Sequence, residues 1–141
     1  MMIKNVLCVD DDDIAQFYTT AIIEDAAFIE HTDRAFDGSK ALQYFEDLAS
    51  KPDKSSNNIP ELVLLDLNMP IMDGWEFLET FSLKYAQKFN QVKIAIVSSS
   101  VNPADFTKSK NYPFVIEFIT KPITVDILKK INDHYFKEQL N

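Results

Sequence analysis

Leu62-Val63-Leu64-Leu65-Asp66-Leu67-Asn68-Met69-Pro70-Ile71-Met72-Asp73-Gly74-Trp75 is the stretch whose reading decides the fold. Four apolar residues in unbroken succession are of strand length, and an unbroken run suits a strand covered on both faces. The run stops at a carboxylate. Asp73 and Gly74 then precede a helix predicted over Trp75–Phe89, whose Phe77, Leu78, Phe81 and Tyr85 fall on one face. A buried strand, an acidic residue at its carboxyl end and a helix behind it make a βα unit.

The same grammar recurs outward in both directions. Apolar runs of strand length stand at Ile3–Val9, Lys93–Val97 and Phe114–Ile119, with a weaker candidate at Phe28–Thr32. Between them, a first helix is predicted over Ile14–Ala27, where Phe17, Ala21 and Glu24 show an imperfect apolar stripe, and a second over Ser39–Leu48, capped by Asp37. A fourth helix begins near Pro103, since proline suits a first helical position, and Thr124 caps a fifth that buries Ile127, Leu128, Ile131 and Tyr135. Five buried strands alternating with five helices predict an α/β fold: a mainly parallel sheet with helices on both faces. Residues 50–60 are polar and poor in helix formers and read as an exposed loop, leaving residues 1–141 as a single domain with no output domain after the fifth helix.

Composition narrows the partners. A 141-residue chain that is 46% hydrophobic and 26% charged has the makeup of an ordinary soluble globule with one core. Its formal net charge of -8 and lack of any basic run argue against nucleic acid as a direct partner, because phosphate backbones are bound by Lys and Arg. The first apolar stretch is too short and too acidic to be a signal peptide or a membrane span, which predicts a cytoplasmic protein that engages no membrane. The single cysteine, Cys8, sits in that run and reads as a small core residue.

In open α/β sheets ligands sit at the carboxyl ends of the strands. After the first run come Asp10, Asp11, Asp12 and Asp13; Asp66 ends the third strand, Ser98 closes the fourth, and Lys121 lies just beyond the fifth. Three carboxylates brought together would repel by up to about 4 kcal/mol per pair near a protein surface unless a cation or protons relieve them. Oxygen-only ligands with no histidine or cysteine nearby favour Mg2+, commonly held by one or two carboxylates and a phosphate. That is a setting for phosphoryl chemistry, with Asp66 as nucleophile, a lysine and a metal neutralising the transferring group, and the Ser98 hydroxyl donating to a phosphoryl oxygen only in the phosphorylated state.

Together, Val9-Asp10-Asp11, Leu65-Asp66-Leu67-Asn68-Met69-Pro70 with Asp73-Gly74, Val97-Ser98-Ser99 and Lys121-Pro122 resemble, in order along nearly the whole chain, the response-regulator receiver domains, the CheY-like family, here of the stand-alone type. The resemblance implies a flavodoxin-like (βα)5 fold with strand order 2-1-3-4-5. It further implies a switch of a two-component or phosphorelay system rather than an enzyme, one that catalyses only its own phosphorylation and dephosphorylation. By position it makes Asp66 the phosphoacceptor, Asp11 and Asp66 direct Mg2+ ligands, Asp10 a ligand through water and the Asn68 backbone carbonyl a further ligand. Ser98 becomes the switch hydroxyl, Lys121 the partner of the phosphoryl group, Phe118 the coupled aromatic and Pro122 the site of a cis peptide. The implied partners are a sensor histidine kinase or phosphotransfer protein and a downstream protein docking on the helix 4, strand 5 and helix 5 face; dimerisation on phosphorylation is left open. Three departures stand out. No Gly-Ala pair precedes the fifth strand at Pro113–Glu117, Ser99 replaces the usual alanine, and Ser100 sits two past the switch, where side chains affect the lifetime of the phosphorylated state.

Bland readings compete with these. Asp12 and Asp13 suit a helix start, where carboxylates are favoured, Trp75 reads as packing, and Phe118 reads equally as core. His31 and His134 fall in no ligand pattern. A haloacid-dehalogenase-type Mg2+-dependent phosphatase would also use an aspartyl phosphate, but it expects an acid two residues after the nucleophile, where this chain has Asn68. A receiver-like module that interacts without phosphorylation is the third reading, and the full set of acidic pair, acceptor, hydroxyl and lysine argues against it.

Overall fold

The structure is a computed structural model that describes residues 3–51 and 59–136. In chain order its elements are β1 (Ile3–Val9), α1 (Asp13–Ala26), β2 (Ile29–Ala35), α2 (Gly38–Ser50), β3 (Leu62–Leu65), α3 (Gly74–Lys84), β4 (Lys93–Ser98), α4 (Pro103–Ser109), β5 (Val115–Thr120) and α5 (Val125–Ile131), which passes into a π-helical turn at Asn132–Phe136. All four strand pairings are parallel and the order is β2-β1-β3-β4-β5, so the chain forms the doubly wound flavodoxin-like sheet.

Continuous apolar strands work here because successive side chains go to opposite faces. Leu7 and Val9, Val63 and Leu65, Ile94 and Ile96 join one core with Phe45 of α2 and Phe77, Leu78 and Phe81 of α3. Val6, Cys8, Leu62, Leu64, Ala95 and Val97 join the other, with Ile23 of α1 and Leu128 and Ile131 of α5. Cys8 is therefore a packed core residue, and burial pushes its thiol up to about 12.

The helix starts follow their caps. Asp12, Asp37, Asp73, Asn102 and Thr124 each accept a hydrogen bond from a backbone N–H in the first turn of the helix that follows. Asp73 and Glu76 add the reciprocal pair of a capping box.

Several boundaries differ from expectation. The third helix ends at Lys84, not Phe89, because the Phe81 carbonyl accepts from both Tyr85 and Ala86 and the ladder slips there. Tyr85 and Phe89 still turn inward and pack their rings on Phe45. The strand expected at Phe28–Thr32 is shifted and extended to Ile29–Ala35; as an edge strand it needs cover on fewer sides and tolerates His31, Asp33 and Arg34. The expected exposed loop at 50–60 is trimmed at both ends, since Ser50 closes α2 and Pro60 is buried, while residues 52–58 lie outside the described residues. In the fifth helix Leu128 and Ile131 are buried, but Ile127 and Tyr135 are half-buried, the latter because its hydroxyl turns out to the Ile116 carbonyl on edge strand β5. The β4–β5 ladder carries a register shift at Ile94/Ala95.

Candidate functional site

The site is assembled by the sheet itself. Backbone N–H groups of Asp10 and Asp66 still donate in register, to Ala35 (3.1 Å) and Val9 (2.9 Å), so each carboxylate leaves the sheet from its last hydrogen-bonded rung. The Lys121 N–H donates to the Ser98 carbonyl at 2.8 Å, which ties the ends of β4 and β5 together. Lys121–Pro122 is a cis peptide.

These ends surround an open cleft of about 670 Å3 lined by Asp10, Asp11, Asp12, Asp13, Asp66, Asn68, Ser99 and Lys121. One carboxylate oxygen each from Asp10, Asp11 and Asp66 lie within 4.8 Å of one another, the one such trio of candidate metal ligands among the described residues. The Lys121 ammonium sits 3.0 Å from Asp10 Oδ2 and 3.5 Å from Asp66 Oδ1. One cation facing three carboxylates leaves the cleft short of positive charge, and the donor set is all oxygen, so the residues fit a hard divalent cation. Asp11 is exposed and free to meet an ion with its waters, whereas Asp66 is buried.

The electrostatics reflect that crowding. Burial and then the Asp10 charge push Asp66 up to about 6, against the opposing pull of Lys121 and the Asn68 backbone amide. For Lys121, burial pulls the ammonium down, but the hydrogen bond to Asp10 and the charges of Asp66 and Asp10 outweigh it and hold it above the usual lysine range.

Asp12 and Asp13 border the cleft but serve α1, Asp12 as its cap and Asp13 in its first turn. Ser98 is not presented to the cleft in the same way. Its side chain is fully buried, its Oγ accepts from the Ser100 N–H at 3.0 Å, and Ser99 occupies the lining position. Phe118 is half-buried and meets Phe106 of α4 edge-on at 6.1 Å between ring centres. Trp75 packs on the core beneath α4, stacked on Tyr112 with the Lys108 ammonium 4.5 Å from its ring centre. The structure leaves His31 on the exposed flank of β2, where it contacts Asp33, and His134 beside Tyr135 after α5.

Two supporting residues were not singled out from sequence. Gln16, buried in α1, directs its side-chain amide at the carbonyls of Cys8 (3.0 Å), Asp10 (3.1 Å) and Ala35 (3.2 Å), bracing the end of β1. The only hint was a glutamine where the stripe of α1 called for an apolar residue. Gly74, noted only as a helix start, donates to the Leu67 carbonyl at 2.9 Å, and a Cβ there would lie 2.6 Å from the Asp66 carbonyl oxygen. The close approach of α3 to Asp66 therefore requires a residue without a side chain.

Residues 6–132 match the family model of the response regulator receiver domain. The chain belongs to that family. The receiver domain is similar to a two component response regulator from Cytophaga hutchinsonii, at 28% identity and a TM-score of 0.86, over 98% of this chain and all of that one. It is also similar to a CheY-like receiver domain protein from Methanospirillum hungatei, at 25% identity and a TM-score of 0.71, over 93% and 92% of the two chains. Among curated proteins it is 32% identical over 132 residues to a protein-glutamate methylesterase/protein-glutamine glutaminase of Halalkalibacterium halodurans. That match covers 91% of the receiver domain but only 34% of the methylesterase, so the chain spans about a third of that relative's length. A receiver domain is a phosphoacceptor signalling switch of two-component systems, and such domains bind Mg2+ at their acidic pocket and interact with histidine kinases or phosphotransfer proteins and with downstream targets. Among the described residues no helix is long and apolar enough to cross a membrane.

Proposed function

We propose that Asp66 is the phosphoacceptor of this receiver domain and that Asp10, Asp11, Ser98 and Lys121 serve the transfer. The observation that carries this is one carboxylate, buried at the end of the central strand β3, with an ammonium 3.5 Å away and two further carboxylates beside it. In the reaction an Asp66 oxygen attacks phosphorus, the bond from phosphorus to the donor's leaving group breaks, and the leaving group departs with that electron pair. With a phosphohistidine donor the leaving group is a ring nitrogen. Lys121 offers its ammonium to the phosphoryl oxygens, exchanging part of its contact with Asp10.

Mg2+, when bound, supplies charge neutralisation of the transferring group. The residues that would hold it are Asp11 and Asp66 directly, Asp10 through water, and the Asn68 backbone carbonyl. Ser98 supplies the hydroxyl that recognises the phosphorylated state, and Phe118 is the aromatic that responds to it. A doubly charged group contacted by Lys121 and Ser98 is of the right magnitude to reverse a two-state equilibrium, which takes about 5.5 kcal/mol to go from 1:99 to 99:1. The partners are a histidine kinase or phosphotransfer protein in the cytoplasm and a target that docks on α4, β5 and α5. The phosphatase alternative lacks its general acid, because Asn68 stands two residues after Asp66.

The test is intact-mass spectrometry after incubation with Mg2+ and acetyl phosphate. The expected result is a single base-labile phosphoryl adduct that requires Mg2+ and is absent in Asp66→Asn. An adduct that persists in Asp66→Asn would overturn the assignment. So would the absence of any adduct together with failure to bind beryllofluoride, a mimic of an acyl phosphate.

A further inference from the structure

We infer that Ser100 is a positioning residue, a latch that holds the Ser98 hydroxyl off the cleft and ties it to the start of α4. This rests on Asp66 being the phosphoacceptor and deepens that reading by naming how the resting state is held. Ser98 Oγ accepts from the Ser100 N–H at 3.0 Å. The Ser100 hydroxyl donates to Asp105 Oδ2 at 2.6 Å and accepts from the Asn102 N–H at 3.2 Å. Asn102 in turn caps α4 through Ala104, and Asp105 lies in its first turn.

A serine side chain that accepts from the N–H two residues on is ordinary local structure. What makes a latch of it is the second bond, which carries the connection from the loop into the helix. The Ser98 backbone is pinned, since its carbonyl accepts from the Lys121 N–H at 2.8 Å. A turn of Ser98 toward a phosphoryl group is therefore a rotation of its side chain, and the group that loses a partner is the Ser100 N–H. The β4–α4 loop must move to satisfy that N–H, and the loop is bonded to α4 through Asp105. The helix also carries Phe106, edge-on to Phe118, and Lys108, 4.5 Å from the ring centre of Trp75. One event at Ser98 thus reaches both the aromatic pair and the tryptophan.

The test compares wild type with Ser100→Ala, Asp105→Ala and Ser100→Thr, titrating each with beryllofluoride in the presence of Mg2+. Binding is followed by fluorine NMR, and α4 by the emission of Trp75, the single tryptophan of the chain. Loss of a latch bond worth one ordinary hydrogen bond should tighten beryllofluoride binding in Ser100→Ala and Asp105→Ala by roughly threefold to tenfold. Their resting Trp75 emission should move toward that of saturated wild type, and Ser100→Thr, which keeps the hydroxyl, should behave as wild type. Circular dichroism separates a misfolded Ser100→Ala from a relaxed one, and Asp105→Ala tests the same bond from its other end. Equal or weaker binding in both variants with unchanged resting emission overturns the latch while leaving the phosphoacceptor assignment standing. A wild type that binds no beryllofluoride and gains no phosphoryl adduct overturns both.

Discussion

Lys121 reaches from the end of β5 to within 3.5 Å of Asp66, yet its shorter contact, 3.0 Å, is with Asp10. The ammonium is shared between the proposed acceptor and a carboxylate of the proposed cation site. Removing it should therefore affect transfer and metal binding in opposite directions. In Lys121→Met, phosphorylation by acetyl phosphate should slow on the order of a hundredfold, as when one charge-stabilising donor is lost from an active site. Mg2+ binding should be retained and tighten by about tenfold, because a competing cation is gone. Initial rates by intact mass and Mg2+ titration by calorimetry measure the two effects, and weaker Mg2+ binding would contradict this account of the shared ammonium.

The pH dependence follows from Asp66, pushed up to about 6 from an ordinary value of 3.8 by burial first and the Asp10 charge second. A folded-state value above the unfolded one means that the folded protein holds the proton more tightly. The stability this group contributes is full below about pH 4 and is lost as pH rises through about 6. In the proposed site Mg2+ would bind the ionised carboxylate, so the gap in Tm between Mg2+ and chelator should be small near pH 5 and wide near pH 7.5. Thermal melts at the two pH values measure it, and Asp66→Asn should flatten the widening.

Gly74→Ala should be costly out of proportion to one methyl group. The added carbon would meet the Asp66 carbonyl oxygen at 2.6 Å and Leu67 Cα at 2.8 Å, both backbone atoms with nowhere to go. A loss of about 2 to 3 kcal/mol is expected in urea unfolding, together with slower phosphorylation because β3 and α3 must separate. A midpoint within error of wild type would show that the close approach is not needed.

Ile71 is the opposite case. It sits at φ 70 in the left-handed region, where a β-branched side chain is strained, and it is 84% exposed and so gains little from packing. Ile71→Asn should stabilise the domain by about 1 kcal/mol, since asparagine tolerates that backbone. Denaturant unfolding checks the sign, and an unchanged phosphorylation rate would show that the strain is not used in the transfer.

Much of this molecule is legible one residue at a time. The runs at Ile3–Val9 and Leu62–Leu65 specify strands covered on both faces, the caps at Asp37, Asp73 and Thr124 specify helix starts, and the order of Asp10, Asp11, Asp66, Ser98 and Lys121 follows once ligands are sought at strand ends. These signals are local, because periodicity and capping depend on neighbours within a few residues. The tertiary structure alone decided the rest. It set the slip that ends α3 at Lys84, the lengthening of edge strand β2, the burial of Gln16 against three carbonyls, the sharing of Lys121 between two carboxylates, and the Ser98 hydroxyl turned to Ser100 while Ser99 faces the cleft. The longer β2, the braced Gln16 and the shared Lys121 are settled by atoms brought close from distant parts of the chain, while the slip after Phe81 and the turn of Ser98 to Ser100 are choices among local partners that the packed fold decides.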